Sequence, residues 1–354
     1  MTGMELPLIF AIQLCRMRKI ILLIFFSCTL TGLFAQNSDG SLVKWMSLKE
    51  AIEASKKQPK PIVMDFYTDW CGWCKRMMAT TYADPNLSSY INQFFYPVKF
   101  DAEGKDTVEF EGKTYMPTSM APRTSHPLAI QLLGGKMMYP TTLFMNGFDS
   151  TRNEFPIKIL APGYMEKDKI EPVLVFVLEN VFRTTGLEDF TRNFNTAFYD
   201  STTQKRIDAM KWKLPEQVFD GNFSEKKKRI VFLHTSWCNS CRVMERGVFP
   251  DTALAALRDK FVLVDFNPET EKPLFWNGKL YQKTAGNQFP FHPLVLDLTK
   301  GNFMLPSVVI LDEEDKIIDF IPFFLNDKLL AEIMTFYGND IYKTQSWQQW
   351  KEGK

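Results

Sequence analysis

Short apolar runs, bounded by charged and turn-forming residues, recur along this chain, and they recur in one order twice. A periodic segment over Leu48–Ser55 predicts a helix leading into a short apolar strand, Ile62–Tyr67. The second strand of this kind is Ile230–His234. Each is followed by a helical stretch and then by another apolar strand, Phe95–Phe100 or Phe261–Phe266. The pairs Glu111-Gly112 and Asn277-Gly278 predict tight turns closing hairpins. Beyond them lie Pro140 and Pro306, each leading into a further strand, Thr141–Met145 and Ser307–Leu311. Apolar-striped helices close both series, Lys169–Phe182 with Pro172 near its tolerant start, and Leu325–Phe336. Strand, crossover helix and strand make a parallel pair, so each series predicts an α/β unit on a mixed sheet flanked by helices.

The two series are copies. Trp45 answers to Trp212, and Trp70-Cys71-Gly72-Trp73-Cys74-Lys75 answers to Trp237-Cys238-Asn239-Ser240-Cys241-Arg242, the first cysteines standing at 71 and 238. After a slip of one position, Phe110–Tyr115 matches Trp276–Tyr281, His126-Pro127-Leu128 matches His292-Pro293-Leu294, and Pro140 matches Pro306. So many matches in order mark a tandem duplication. The expected organisation is a leader over residues 1–36, a first domain over 44–183, a polar linker over 184–210, and a second domain with a C-terminal tail over 211–354. Trp347 and Trp350 in that tail read as packing residues.

Composition narrows the class. Hydrophobic residues make up 45% and charged residues 23% of 354, as in globular proteins with a core of their own. A net charge of +1 asks for no nucleic-acid partner, and the run Lys226–Arg229 reads as a solvated strand entry. At the N-terminus Arg16, Arg18 and Lys19 precede the apolar run Ile20–Phe26 and small residues up to Ala35, the pattern of a secretory signal. Met17 opens a tidier signal than Met1, so residues 1–16 read as lying upstream of the true start. A second reading makes Cys28 a lipidated anchor. Either reading places the mature protein in the periplasm or otherwise outside the cytoplasm.

Cys15 and Cys28 belong to the leader, which leaves Cys71, Cys74, Cys238 and Cys241. Pairs three residues apart close almost no loop and add little stability by chain entropy, so their value is chemical. A cysteine at a helix start meets unsatisfied N–H groups and the positive end of the helix dipole, which favour thiolate. A second cysteine one turn on can resolve a mixed disulfide formed by the first. A four-thiolate zinc site is the competing reading, against which residues 75–237 lie between the pairs and each pair sits in its own repeat. Copper held by a pair with a histidine is a further alternative. No cofactor is expected.

The segment Ile62–Lys75, with its Trp-Cys-Gly-Trp-Cys-Lys core, resembles the active site of thioredoxins, and most closely that of exported thioredoxin-like proteins. The resemblance implies two tandem thioredoxin-like domains, each with a hairpin inserted before a cis-proline. It implies that Tyr139-Pro140 and Leu305-Pro306 lie against the redox pairs and, with Trp70 and Trp73, bind substrate chains. It also implies that Asp65, six residues before Cys71, is a buried general base for the resolving thiol. The second copy has Phe232 there, so its Cys238–Cys241 pair is expected to exchange more slowly or to act as a relay. Glu245 and His234 are its nearest substitutes, with an exposed helical Glu and a packed His as the blander readings, and His126 and His292 read as loop anchors. The function implied is a reductase or isomerase of disulfides in exported client proteins, fed by a membrane thiol-reductase. The alternative is a non-catalytic binding or assembly module on the same scaffold.

Overall fold

The computed structural model describes residues 39–284 and 288–353. The leader expected over 1–36, with Cys15 and Cys28, lies outside the described residues.

The first copy begins with α1 (Leu48–Lys57), started by a reciprocal cap in which the Ser47 hydroxyl accepts the Glu50 N–H and the Glu50 carboxylate accepts the Ser47 N–H. Strand β1 (Ile62–Tyr67) runs into α2 (Gly72–Ala79), and α3 (Pro85–Phe94) leads to β2 (Tyr96–Asp101). A hairpin of β3 (Val108–Phe110) and β4 (Lys113–Tyr115), then α4 (Pro127–Leu132), precede β5 (Thr141–Met145), β6 (Lys158–Pro162) and α5 (Lys167–Leu178). Next come α6 (Leu187–Phe198) and α7 (Thr203–Asp208). The second copy repeats the order with β7 (Trp212–Lys213), α8 (Pro215–Val218), β8 (Lys228–Leu233) and α9 (Asn239–Val243), which a π-helical turn over Met244–Val248 continues. It goes on through α10 (Ala255–Arg258), β9 (Phe261–Phe266), the hairpin β10 (Leu274–Trp276) and β11 (Lys279–Tyr281), and α11 (Leu294–Leu298). Then follow β12 (Ser307–Leu311), β13 (Ile317–Ile321), α12 (Asp327–Gly338) and α13 (Trp347–Glu352).

The sheets share one plan, β2-β1-β5-β6 in the first copy and β13-β12-β8-β9-β7 in the second. Strands β1 and β2 are parallel, as are β8 and β9, while β5 and β12 run antiparallel to their neighbours. Both hairpin turns take left-handed backbone at two successive residues, Glu111 (φ 48°) and Gly112 (φ 75°), then Asn277 (φ 49°) and Gly278 (φ 77°), the geometry that matches strand twist. The peptide bonds Tyr139–Pro140 and Leu305–Pro306 are cis.

Alternation along β1 sends Ile62, Met64 and Phe66 into a core private to the first copy, and Val63 to the other face. That other face belongs to a core common to both copies, in which Val63, Ile170, Phe190, Ile230, Phe232 and Met334 are all buried. The segment 184–210, expected as a polar linker, supplies much of the join. Phe190, Phe194 and Ala197 recur at helical spacing on α6 and are buried, with Phe190 5.6 Å from Phe176 and 5.1 Å from Phe324 of the second copy. The reading of 184–210 as polar averages over both faces of an amphipathic helix. Helix α5 stops at Leu178, short of the expected Phe182, because Asn180 turns left-handed (φ 55°) and a 3₁₀ turn takes over Val181–Arg183.

The second copy ends the same way. Asp340 is left-handed (φ 59°), a 3₁₀ turn covers Ile341–Lys343, and α13 follows. Trp347 and Trp350 lie 5.2 and 5.3 Å from Phe336, as Phe190 lies against Phe176. The tail of the second copy is thus the structural counterpart of α6.

Helix α6 fits against the π-helical turn only because position 247 lacks a side chain. A Cβ on Gly247 would stand 2.3 Å from the Asn193 carbonyl oxygen. Gly247→Ala is therefore expected to destabilise by about 1–3 kcal/mol through overpacking, and Phe190→Ala by about 3–5 kcal/mol through the cavity left between copies. Urea denaturation followed by circular dichroism measures both, and losses below about 0.5 kcal/mol, the level of an indifferent surface change, would show that the join is not a core.

Candidate active site

Each cysteine pair sits where a buried strand hands over to a helix. Cys71 is the N-cap of α2, and its sulfur accepts the Cys74 N–H at 3.1 Å. Cys238 is the N-cap of α9, and its sulfur accepts the Cys241 N–H at 3.2 Å. Sulfur thus stands where a Ser or Asp oxygen ordinarily takes the first free N–H groups of a helix. Both pairs are disulfides, with Cα atoms 5.3 and 5.2 Å apart. The leading sulfurs belong to nearly covered residues, with Cys71 4% and Cys238 5% exposed.

Around the first pair the side chains expected to meet substrate gather as aromatic walls. Trp70 and Trp73 are exposed. The Trp70 ring lies 6.1 Å from that of Tyr139, which brings the residue before Pro140 against the residue before Cys71. Its indole N–H donates to both Glu103 carboxylate oxygens at 3.1 Å. Trp73 lies 5.5 Å from Tyr164 and carries the Arg76 guanidinium 5.3 Å from its ring. Pro140 is buried, and its carbonyl accepts the Gly163 N–H at 2.8 Å. In the second copy Trp237 is likewise exposed and donates to Glu269 at 3.0 Å, Pro306 is buried, and Leu305 bridges two cores.

Asp65 is fully buried on β1, in register with Thr142 of β5 on one side and Lys99 of β2 on the other. The Thr142 hydroxyl donates to its Oδ1 at 3.4 Å and the Tyr82 hydroxyl at 3.5 Å, while Oδ2 has no hydrogen-bond partner among the described residues. Desolvation dominates and lifts the carboxyl from the usual 3.8 to about 7, against the pull of Lys99 and of the two hydroxyls. The second copy replaces this cluster residue by residue. Phe232, Phe249 and Val308 stand where Asp65, Tyr82 and Thr142 stand in the first copy, with Phe232 in register with Val308 and 4.9 Å from Phe249.

His234 stacks on Phe232 at 4.7 Å and bonds through Nε2 to Asp265, and Glu245 lies on the π-helical turn. His126 and His292 anchor loops, their Nδ1 atoms accepting the N–H groups of Leu128 and Leu294. One carboxylate that repeat comparison misses does reach the second pair. Glu179, the residue capping the C-terminal end of α5 in the first copy, accepts the N–H groups of Asn239 at 3.0 Å and Ser240 at 2.7 Å, with Oε2 3.9 Å from the Cys238 sulfur. No periodicity points to it, because it comes from the other copy.

A family model described as thioredoxin-like matches residues 216–312, and another, Thioredox_DsbH, described as a protein of unknown function, DUF255, matches residues 31–160. The chain carries two thioredoxin-like regions. Among curated proteins, the thiol:disulfide interchange protein DsbD of Vibrio vulnificus strain YJ016 is 35% identical over 63 residues, which is 17% of this chain and 10% of the relative. The chain thus spans about a tenth of the length of the curated relatives it matches. Solved structures include a DsbH oxidoreductase (23% identity, TM-score 0.22, covering 33% of this chain and 76% of that one). The oxidised C-terminal domain of Neisseria meningitidis DsbD is also similar (22%, TM-score 0.22, covering 34% and 84%). Among the described residues no helix is long and apolar enough to cross a membrane.

The thioredoxin-like first region makes a testable statement about Asp65. Below pH 3.8 its carboxyl is protonated whether the chain is folded or not; between 3.8 and about 7 only the unfolded chain releases the proton, so its contribution to stability falls as pH rises through that window. Asp65→Asn should match the native chain near pH 3 and exceed it by about 2–4 kcal/mol at pH 8. Denaturation midpoints across pH measure this, and a difference that does not grow with pH contradicts the burial argument.

Proposed function

We propose that the protein is an exported thiol:disulfide oxidoreductase that reduces or rearranges disulfides in extracytoplasmic proteins, with Cys71–Cys74 as its principal redox pair. The observation that carries this reading is a disulfide whose leading sulfur caps a helix, downstream of a buried carboxyl poised near neutrality on the strand that leads into it. In the reduced enzyme the α2 N-terminus favours the Cys71 thiolate. That sulfur attacks a client disulfide, a mixed disulfide forms, and one client sulfur leaves as thiolate. Cys74 then gives its proton towards Asp65 and attacks Cys71, which closes the enzyme disulfide and frees the second client sulfur. Two electrons pass to the client, and a membrane thiol-reductase restores the dithiol from the cytoplasmic side. Trp70, Trp73, Tyr139 and Pro140 form the client groove, with Leu305 and Pro306 in the corresponding place of the second region. The apolar leader supports export, and Cys28 is the candidate lipid anchor.

Given dithiothreitol, the purified protein should reduce insulin, and Cys74→Ser should leave Cys71 covalently joined to client proteins. If only non-covalent complexes form, the chain is a binding module on this scaffold. The Asp65 role has its own readout. Exchange by the native chain should rise with pH through about 7, whereas Asp65→Asn should flatten that rise and slow release of the mixed disulfide about a hundredfold, the low end for a positioned proton acceptor. An unchanged pH profile in the Asn variant removes Asp65 from the mechanism.

A further inference from the structure

We propose that Glu179, carried by the first region, is the proton-exchanging catalytic residue of the second region's Cys238–Cys241 pair. The inference rests on reading that pair as redox-active. It starts from a substitution pattern: a buried acid and its two hydroxyl partners in one copy become two phenylalanines and a valine in the other. The second pair has lost the internal proton acceptor of the first, and the join between copies delivers another carboxylate to the opposite side of the problem, at the attacking sulfur.

Helix α5 ends at the second pair, and Glu179 caps it with its carboxylate held between the copies. Oε1 takes the Asn239 N–H, and Oε2 takes the Ser240 N–H while lying 3.9 Å from the Cys238 sulfur. The Ser240 hydroxyl is 3.7 Å from the same sulfur, and the Asn239 side-chain amide donates to the Tyr90 hydroxyl at 3.4 Å. Desolvation raises the Glu179 carboxyl above the ordinary glutamate value, against the donors on Ser240 and Asn239 that hold it down. This contact roofs the dipeptide between the cysteines and leaves Cys238 about as exposed as Cys71. Ser240 is 1% exposed where its counterpart Trp73 is 56% exposed, yet Cys238 at 5% matches Cys71 at 4%. Trp237, next to Cys238 in the chain, is exposed.

The exchange then balances. In the reduced pair, Cys238 passes its thiol proton to Glu179 Oε2 as its sulfur bonds to one sulfur of a substrate disulfide. The substrate S–S bond breaks, its electron pair leaves on the other sulfur, and Glu179 returns the proton to that thiolate. Cys241 next displaces the bound sulfur, which takes up the Cys241 thiol proton as it leaves, so the enzyme dithiol becomes a disulfide and the substrate gains two electrons and two protons.

The test uses the full-length chain carrying Cys71→Ser and Cys74→Ser, so that only the second pair reports, with oxidised glutathione as the disulfide probe. In chains shown to be folded under the assay conditions, Glu179→Gln should slow exchange about a hundredfold, and Glu179→Asp should fall between the Gln variant and native Glu179, whatever the shift in denaturation midpoint. A clamp that merely joins the copies would move the midpoints and leave the rates of folded variants alone. Native-rate exchange in the folded Gln variant overturns the proposal. Should the Gln variant fail to fold, native-rate exchange in the Asp variant overturns it equally. A double-serine chain that is silent with Glu179 intact shows instead that the second pair is not redox-active, and the proposal falls with that reading while the first pair's is untouched.

Discussion

A helix needs something to accept its first N–H groups, and in both halves of this chain a cysteine sulfur meets that need. The constraint ties backbone geometry to reactivity. The strand must end, the chain must turn, and the capping position must hold an atom able to carry negative charge. Sulfur does so more readily than a hydroxyl, because a thiol gives up its proton near pH 8.5 and sooner beside such donors. The rest of the architecture is arranged around that junction. Buried strands fix where each helix begins, the loops before Pro140 and Pro306 bring further side chains to the same end of the sheet, and the aromatic walls face outward.

The copies place a buried carboxyl differently relative to their cysteine pairs. In the first, a carboxyl is drawn inside the sheet, at a cost in burial that two hydroxyls and a nearby lysine only partly relieve. In the second, Phe232, Phe249 and Val308 take the places of the acid and its hydroxyl partners, and Phe232, Phe249 and Trp212 pack edge and face against one another. That exchange strengthens the core that the copies share, since Phe232 lies on the face turned towards the first region. The carboxylate nearest the second pair lies instead at the boundary, on a helix end of the neighbouring copy.

Much of this is legible in the linear chain because it depends on local order. The cysteine spacing, the apolar strand before each pair, the glycine after Glu111 and after Asn277, and the proline before each later strand all act over a few residues, and the duplication repeats each signal. Burial of Asp65 could be read in the same way, from an acid alternating with apolar neighbours on a strand. Helix in the connector could be anticipated, but the packing of α6 could not, because Phe190, Phe194 and Ala197 are spread thinly among polar residues and gain meaning only once two surfaces exist to receive them. Nor could the ends of α5 be fixed, where a single left-handed Asn180 redirects the chain.

The sequence by itself determined the two α/β units, their redox pairs and the loss of the internal acid from the second, since propensity, periodicity and spacing are properties of neighbours in the chain. The tertiary structure alone decided that the segment between the units is a packed helix, that Gly247 must remain bare, and that Glu179 lies against Cys238, residues separated by 59 positions. Contacts of that kind depend on how whole surfaces dock, and no pattern along one strand or helix encodes the partner it will meet.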